Sequence, residues 1–124
     1  MKTRRAVLLL ALAPVAALAQ KPPRPVRFPP GESGTWVTGA VARGEVARYE
    51  LRARAGQRMA LRVEAAEGNV VFQVIAPDGR TLPGTTEAEE ARDWAGDLPR
   101  TGPYVIAVGT TRGGAEFRLS VSIR

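Results

Sequence analysis

Apolar and polar residues alternate strictly towards the end of the chain. Tyr104, Ile106 and Val108 alternate with their neighbours, and after Arg112-Gly113-Gly114 so do Phe117, Leu119, Val121 and Ile123. A period of two puts successive side chains on opposite faces, so each run predicts a strand with one buried and one wet face. The Gly-Gly step between the runs predicts a β-hairpin. Upstream, Trp36 to Val41 predicts a first strand and Val46 to Ala53 a second, with Tyr49, Leu51 and Ala53 opposed to Arg48, Glu50 and Arg52. Ala55-Gly56-Gln57 turns the chain into Met59, Leu61 and Val63. Glu67-Gly68-Asn69 turns it into the continuous apolar run Val70 to Ile75, which predicts burial on both faces.

Pro77-Asp78-Gly79 is the clearest turn, since proline presets φ and glycine takes a positive one. A short strand is predicted at Arg80 to Leu82, a solvated loop at Glu87 to Asp93, and a strand near Trp94. Leu98-Pro99-Arg100-Thr101-Gly102-Pro103 reads as a rigid bend. No segment has a helical period and none repeats. Seven or eight short strands at this spacing predict an all-β fold, an antiparallel β-sandwich of jelly-roll type over residues 34–124.

The two ends of the chain behave differently. A basic start (Met1-Lys2-Thr3-Arg4-Arg5), about 14 apolar residues from Ala6 to Ala19, and Ala17-Leu18-Ala19 as a small-x-small site describe a Sec signal peptide over 1–19, cut before Gln20. The apolar run is too short to span a bilayer, which needs ~20 residues, and Pro14 interrupts it. No cysteine follows it to carry a lipid anchor. The expected product is periplasmic or secreted, with no membrane span after cleavage. Gln20 to Pro30 holds five prolines in eleven residues. Proline fixes φ and removes backbone donors, so 20–33 is expected to be an extended, polyproline-like leader, a spacer rather than a strand. Phe28 is the one side chain there with reason to tuck against the domain.

Charge narrows the partners. The formal net charge is +6, but removing Lys2, Arg4 and Arg5 leaves 15 basic against 12 acidic residues. Lys21, Arg24 and Arg27 supply the remaining excess, and from Phe28 onward 12 arginines face 12 carboxylates. A nucleic-acid binder needs clustered positive charge on the domain with stacking aromatics, so no nucleic-acid partner is expected.

The chemistry open to the chain is limited by what it lacks. There is no His and no Cys, which removes the usual general base, the strongest nucleophile, and zinc sites built on those ligands. Two carboxylates, Asp93 and Asp97, flank Trp94 in the manner of a glycosidase pair, although twelve acids offer such pairs by chance. Calcium is the one metal within reach, through Asp78, Asp93, Asp97 and loop carbonyls, but no calcium loop of the D-x-D/N-x-D/N-G type is present. The expectation is therefore no enzyme activity, no resident cofactor and no metal. Trp36 and Trp94 read either as a sugar-stacking platform or as core anchors. Arg112 sits at the tip of the predicted hairpin, and a planar five-donor guanidinium there suits capture of a carboxylate.

Several segments carry a family resemblance: Gly39-Ala40-Val41, Tyr49 to Gln57 (YELRARAGQ), Pro77-Asp78-Gly79, Leu98 to Tyr104 (LPRTGPY) and Thr111 to Ala115 (TRGGA). In order and spacing they resemble two related groups, the bacterial pre-peptidase C-terminal domain and the periplasmic inhibitor of g-type lysozyme, over Gly34 to Arg124. Both groups are secreted β-sandwiches. The stand-alone architecture and the T-R-x-x-A turn favour the inhibitor group. That resemblance implies loop insertion into a lysozyme cleft, with Arg112, Thr101, Gly102 and Tyr104 as the matching partner-binding positions. Glu116 departs from the pattern where a second basic residue is expected, and Glu45 where an aromatic is expected. The alternative partner is a cell-envelope polysaccharide, bound through Trp36, Trp94 or Tyr104.

Overall fold

The computed structural model describes residues 21–124, so the signal-peptide reading lies outside the described residues. Eight strands are present: β1 (Arg24–Pro25), β2 (Gly34–Val41), β3 (Ala47–Ala53), β4 (Arg58–Glu64), β5 (Val70–Ile75), β6 (Asp93–Asp97), β7 (Gly102–Thr110) and β8 (Ala115–Ile123). They form two four-stranded sheets, ordered β1-β3-β7-β5 and β2-β8-β4-β6. The pairings nest: β2 lies antiparallel to β8, and β3 to β7. The fold is the predicted β-sandwich.

Every step from β2 to β8 crosses from one sheet to the other. The predicted β7–β8 hairpin is therefore absent. β7 bonds to β3 and β5, while β8 bonds to β2 and β4. The residues of Thr111 to Gly114 form an arch across the sandwich instead. Alternation marks which face of a strand is apolar. It is equally satisfied by two strands paired edge to edge and by two strands facing each other across a core. Here the second arrangement buries Tyr104, Ile106 and Val108 against Phe117, Leu119 and Val121.

The core is built from inward positions of both sheets, including Tyr49, Leu51, Met59, Leu61, Phe72 and Val74. Removing each such side chain from water stabilises the fold by about 1.5–3 kcal/mol. Gly39 shows how tightly the facing layers meet. A Cβ there would lie 2.6 Å from the Tyr49 hydroxyl and 2.7 Å from the Phe117 ring. The missing side chain gives room to an edge-to-face pair, Tyr49 on Phe117, with ring centres 6.3 Å apart at 84°. Burial pushes the Tyr49 phenol up, and the charge of Arg24 acts against that.

Three elements differ from the sequence expectation. β5 is an edge strand, and Val71, Gln73 and Ile75 point outward and are half-exposed, so the run is not buried on both faces. Arg80 to Leu82 contributes one isolated bridge, Thr81 to Ile75, rather than a strand. The acidic stretch after Thr86 forms a single 3-10 turn, Glu87–Glu89, in which the Glu89 carboxylate accepts from the Thr86 backbone at 2.9 Å.

The largest difference is the leader. Arg24 and Pro25 pair in parallel with Tyr49 and Glu50 of β3, and the Val26 amide donates to Glu50 O at 2.8 Å. The Val26 side chain is only 9% exposed, and Phe28 packs against the core. The prolines do not prevent this, because an edge strand needs amide donors on one side only. They also leave few donors for another chain to pair with. The positive charge of Arg24 thus sits on the folded domain. Val26→Ala should destabilise the protein by about 1–1.5 kcal/mol, close to two buried methyl groups, read as a lower urea midpoint with unchanged slope. A spacer would show no change.

Candidate functional site

One end of the sandwich gathers three connections: residues 42–46 between β2 and β3, 65–69 between β4 and β5, and 111–114 between β7 and β8. The β7–β8 arch is held from below. The Asn69 side-chain amide donates to Arg112 O at 3.0 Å and to Gly114 O at 3.3 Å, while the Thr111 amide donates to Asn69 O at 2.9 Å. The Thr110 hydroxyl closes the turn by donating to Gly113 O at 2.6 Å. Gly113 takes φ +60°, the left-handed conformation that costs a glycine nothing. At Gly114 a Cβ would lie 3.0 Å from Val41 O and 3.4 Å from the Ala42 Cα, so this arch and the β2–β3 arch touch along their backbones.

This framework leaves the Arg112 side chain exposed, and among the described residues it belongs to no ion pair. Arg43 is exposed on the touching arch. Glu45 does not neutralise either arginine by contact, since its Oε1 accepts from the Ala42 amide at 3.0 Å and closes its own loop. Among the described residues the arches therefore offer two guanidinium groups outside any ion pair, on a fixed backbone. Chemically they can bind planar oxyanions, with bidentate geometry open to each head.

Asn69 is the support of the arch that the sequence did not single out. It is 4% exposed, and its Oδ1 has no hydrogen-bond partner. Its only signal is its place after Glu67-Gly68, just before a strand, where turn chemistry accounts for it. Asn69→Ala removes both bonds to the arch at about 0.5–1.5 kcal/mol each. Faster amide hydrogen exchange at Thr111 to Gly114 is the expected readout, with the far end of the sandwich unaffected.

The second predicted loop, Thr101 to Tyr104, lies elsewhere. Thr101 immediately precedes β7 and Gly102 opens it, whereas Arg112 follows its end, and the length of β7 from Gly102 to Thr110 is roughly 26 Å. They do not protrude side by side. Thr101 is exposed, and its Oγ1 accepts from the Ala55 amide at 3.0 Å, bracing the β3–β4 turn. Gly102 takes φ +145°, and a Cβ there would lie 3.0 Å from Pro77. Tyr104 is fully buried. Its hydroxyl donates to Arg100 O at 2.6 Å and accepts from the Arg100 amide at 3.0 Å. Such a tyrosine locks a corner of a sandwich to its own backbone. It is a core residue and has no surface to offer a partner. Nearby, the Arg80 amide and then the Arg100 guanidinium, 3.0 Å away, hold the Asp78 carboxyl below its ordinary range.

The tryptophans also separate. Trp36 on β2 points outward and is 57% exposed, with the Arg118 guanidinium 4.6 Å from its ring centre. Trp94 on β6 is opposite Leu61 and points inward, packed against the core, with its indole N–H donating to Pro83 O at 3.0 Å. They lie on opposite faces of one sheet and form no common platform. Trp94 is the core anchor.

Asp93 and Asp97 sit on the outer face of β6 four residues apart, about 13 Å along the strand, beyond the ~5–9.5 Å of a glycosidase pair. Asp97 is paired with Arg58 at 3.0 Å. Among the described residues no three His, Cys, Asp or Glu side chains gather to hold a metal ion.

No protein-family model matches the chain, and no curated protein matches it. Solved structures do. A periplasmic inhibitor of g-type lysozyme, PliG from Aeromonas hydrophila, is 29% identical, with a TM-score of 0.69 over 82% of this chain and 95% of that one. PliG from Salmonella Typhimurium is 16% identical, with a TM-score of 0.67 over 85% of this chain and all of that one. The pre-peptidase C-terminal domain of a Bacillus anthracis collagenase is 15% identical, with a TM-score of 0.62 over 83% and 99%. These are the two groups that the strand and turn motifs resemble, and the likeness extends across nearly the whole sandwich.

Proposed function

We propose that this chain is an exported, non-enzymatic binding protein that inhibits a g-type lysozyme. The contact is made by the β7–β8 arch, with Arg112 reaching into the enzyme's cleft and Arg43 supporting it from the adjoining arch. The observation that carries this reading is the arch itself: an exposed guanidinium without an acidic partner, on a turn tied by Asn69 and Thr110. A glycosidase cleft presents carboxylates to its substrate. A guanidinium placed among them gains charge-assisted hydrogen bonds in a partly desolvated space. The fixed turn limits the ordering cost on binding. The similarity to the Aeromonas hydrophila inhibitor supports the choice of partner.

Thr101, Gly102 and Tyr104 have no part in this contact. Tyr104 supports the fold, and Thr101 and Gly102 shape the opposite end. The reading further assigns the protein to the periplasm or the medium, in keeping with the exported character of the similar inhibitors.

Titrating the mature protein into a g-type lysozyme assay on peptidoglycan is the test. Stoichiometric loss of turnover is expected. Unchanged turnover at micromolar excess would remove the reading.

A further inference from the structure

We infer that the outer face of the β2-β8-β4-β6 sheet carries a saccharide site, separate from the arch, that takes an uncharged pyranose chain against Trp36. The argument begins with the indole. It is a large apolar group left more than half exposed on a sheet face that is otherwise polar. Its orientation is set: the Arg118 guanidinium sits 4.6 Å from the ring centre. Arg118 pairs in register with Thr38, and so lies on the arch side of Trp36.

On the other side of Trp36 a shallow trough runs across the sheet. Gly34, Ser122 and Ala60 pave it, and Ser120 and Arg62 continue the Trp36 row towards Asp93. Trp36, Ser120, Arg62 and Asp93 thus stand in one line across four strands, an aromatic wall facing hydroxyl, guanidinium and carboxylate groups. The apolar C–H face of a pyranose ring fits a flat indole, and its ring hydroxyls need donors and acceptors within reach of the same plane. A few placed polar groups beside an aromatic surface are what a small-ligand site requires.

Charge selects within that class. Arg62 faces Asp93, and the Arg118 guanidinium lies against Trp36. Glu32 closes one end. The trough therefore has balanced charge, with donors and acceptors interleaved. A polyanion would meet Asp93 and Glu32, and a basic peptide would meet Arg62 and Arg118. A hydroxyl-rich, uncharged chain meets neither penalty. Trp36 is five residues before the end of β2, roughly 17 Å from the arch, so both sites can be filled together. This site does not depend on the identity of the arch's partner.

The test is a 1H–15N NMR titration of the mature protein with chitohexaose and cellohexaose, with hyaluronan as the acidic control. Saturable shifts are expected at the Gly34, Ala60, Arg62, Ser120 and Ser122 amides, with a dissociation constant of about 0.1–1 mM. Trp36→Ala should weaken binding at least ~10-fold, and Arg118→Met by a smaller factor, because losing the stacked cation frees the indole. Both changes are on an exposed face and should leave the thermal midpoint unaltered. No saturable shift at about 10 mM of either uncharged oligosaccharide would overturn the inference. So would shifts centred on the arch, undiminished binding in Trp36→Ala, or binding to hyaluronan alone.

Discussion

Arg112→Ala should raise the inhibition constant against a g-type lysozyme by roughly 30- to 1,000-fold, the 2–4 kcal/mol carried by a central arginine anchor in an interface. The thermal midpoint should not move. Arg112 is exposed and makes no ion pair among the described residues, so its removal exposes no apolar surface and orphans no buried group there. The backbone bonds that shape the arch end on Arg112 O, Gly113 O and Gly114 O, not on its side chain. Arg112→Lys should recover only part of the affinity, because a point charge cannot reproduce a bidentate fork. Arg43→Ala should act in the same direction with a smaller effect. Kinetics distinguish the roles: the anchor should act mainly on dissociation, and a rim charge mainly on association and its salt dependence.

Tyr104 is expected to give the opposite pattern. Tyr104→Phe keeps the buried ring but removes a hydroxyl that both donates to and accepts from the Arg100 backbone. Leaving those groups short of a partner costs about 1–3 kcal/mol, which lowers the midpoint by roughly 4–8 °C per kcal/mol in a domain of this size. Tyr104→Ala adds a cavity in the centre of the sandwich, and the loss should reach about 3–5 kcal/mol. Inhibition by the fraction that remains folded should be unchanged in Tyr104→Phe. A fall in affinity without a fall in stability would return Tyr104 to the binding surface.

The contrast between these residues shows what alternation encodes. Tyr104 shares its parity with Ile106 and Val108, and Trp94 opposes the parity of Asp93 and Asp97, so both inward positions follow from period two. Trp36 alternates with Val37 and Val41, which places it outward by the same rule. Facing is a local property and is legible in the sequence. Pairing is not. Whether β7 meets β8 by its edge or across the core depends on where β3, β5, β2 and β4 settle. The two arrangements share one pattern of apolar positions, so the Gly-Gly turn alone points to a hairpin that does not form.

The leader was hidden for a different reason. Its prolines dominate any local reading, whereas its docking depends on the Val26 amide and side chain and on an open edge of β3. The candidate site was legible only in part. Arg112 stands out by its place on a turn. Its support, Asn69, comes from a connection 43 residues earlier, and its neighbour Arg43 from another arch. Thr101 and Gly102 are close to Arg112 in sequence, yet they stand at the start of β7 and the arch follows its end.

Hydrogen exchange of the protein alone and with g-type lysozyme, followed by mass spectrometry, tests the central claim most directly. Slower exchange is expected over residues 42–46 and 110–114, with residues 99–103 and the Trp36 face unaltered. Protection confined to residues 99–103, or no protection anywhere on the sandwich, would contradict it.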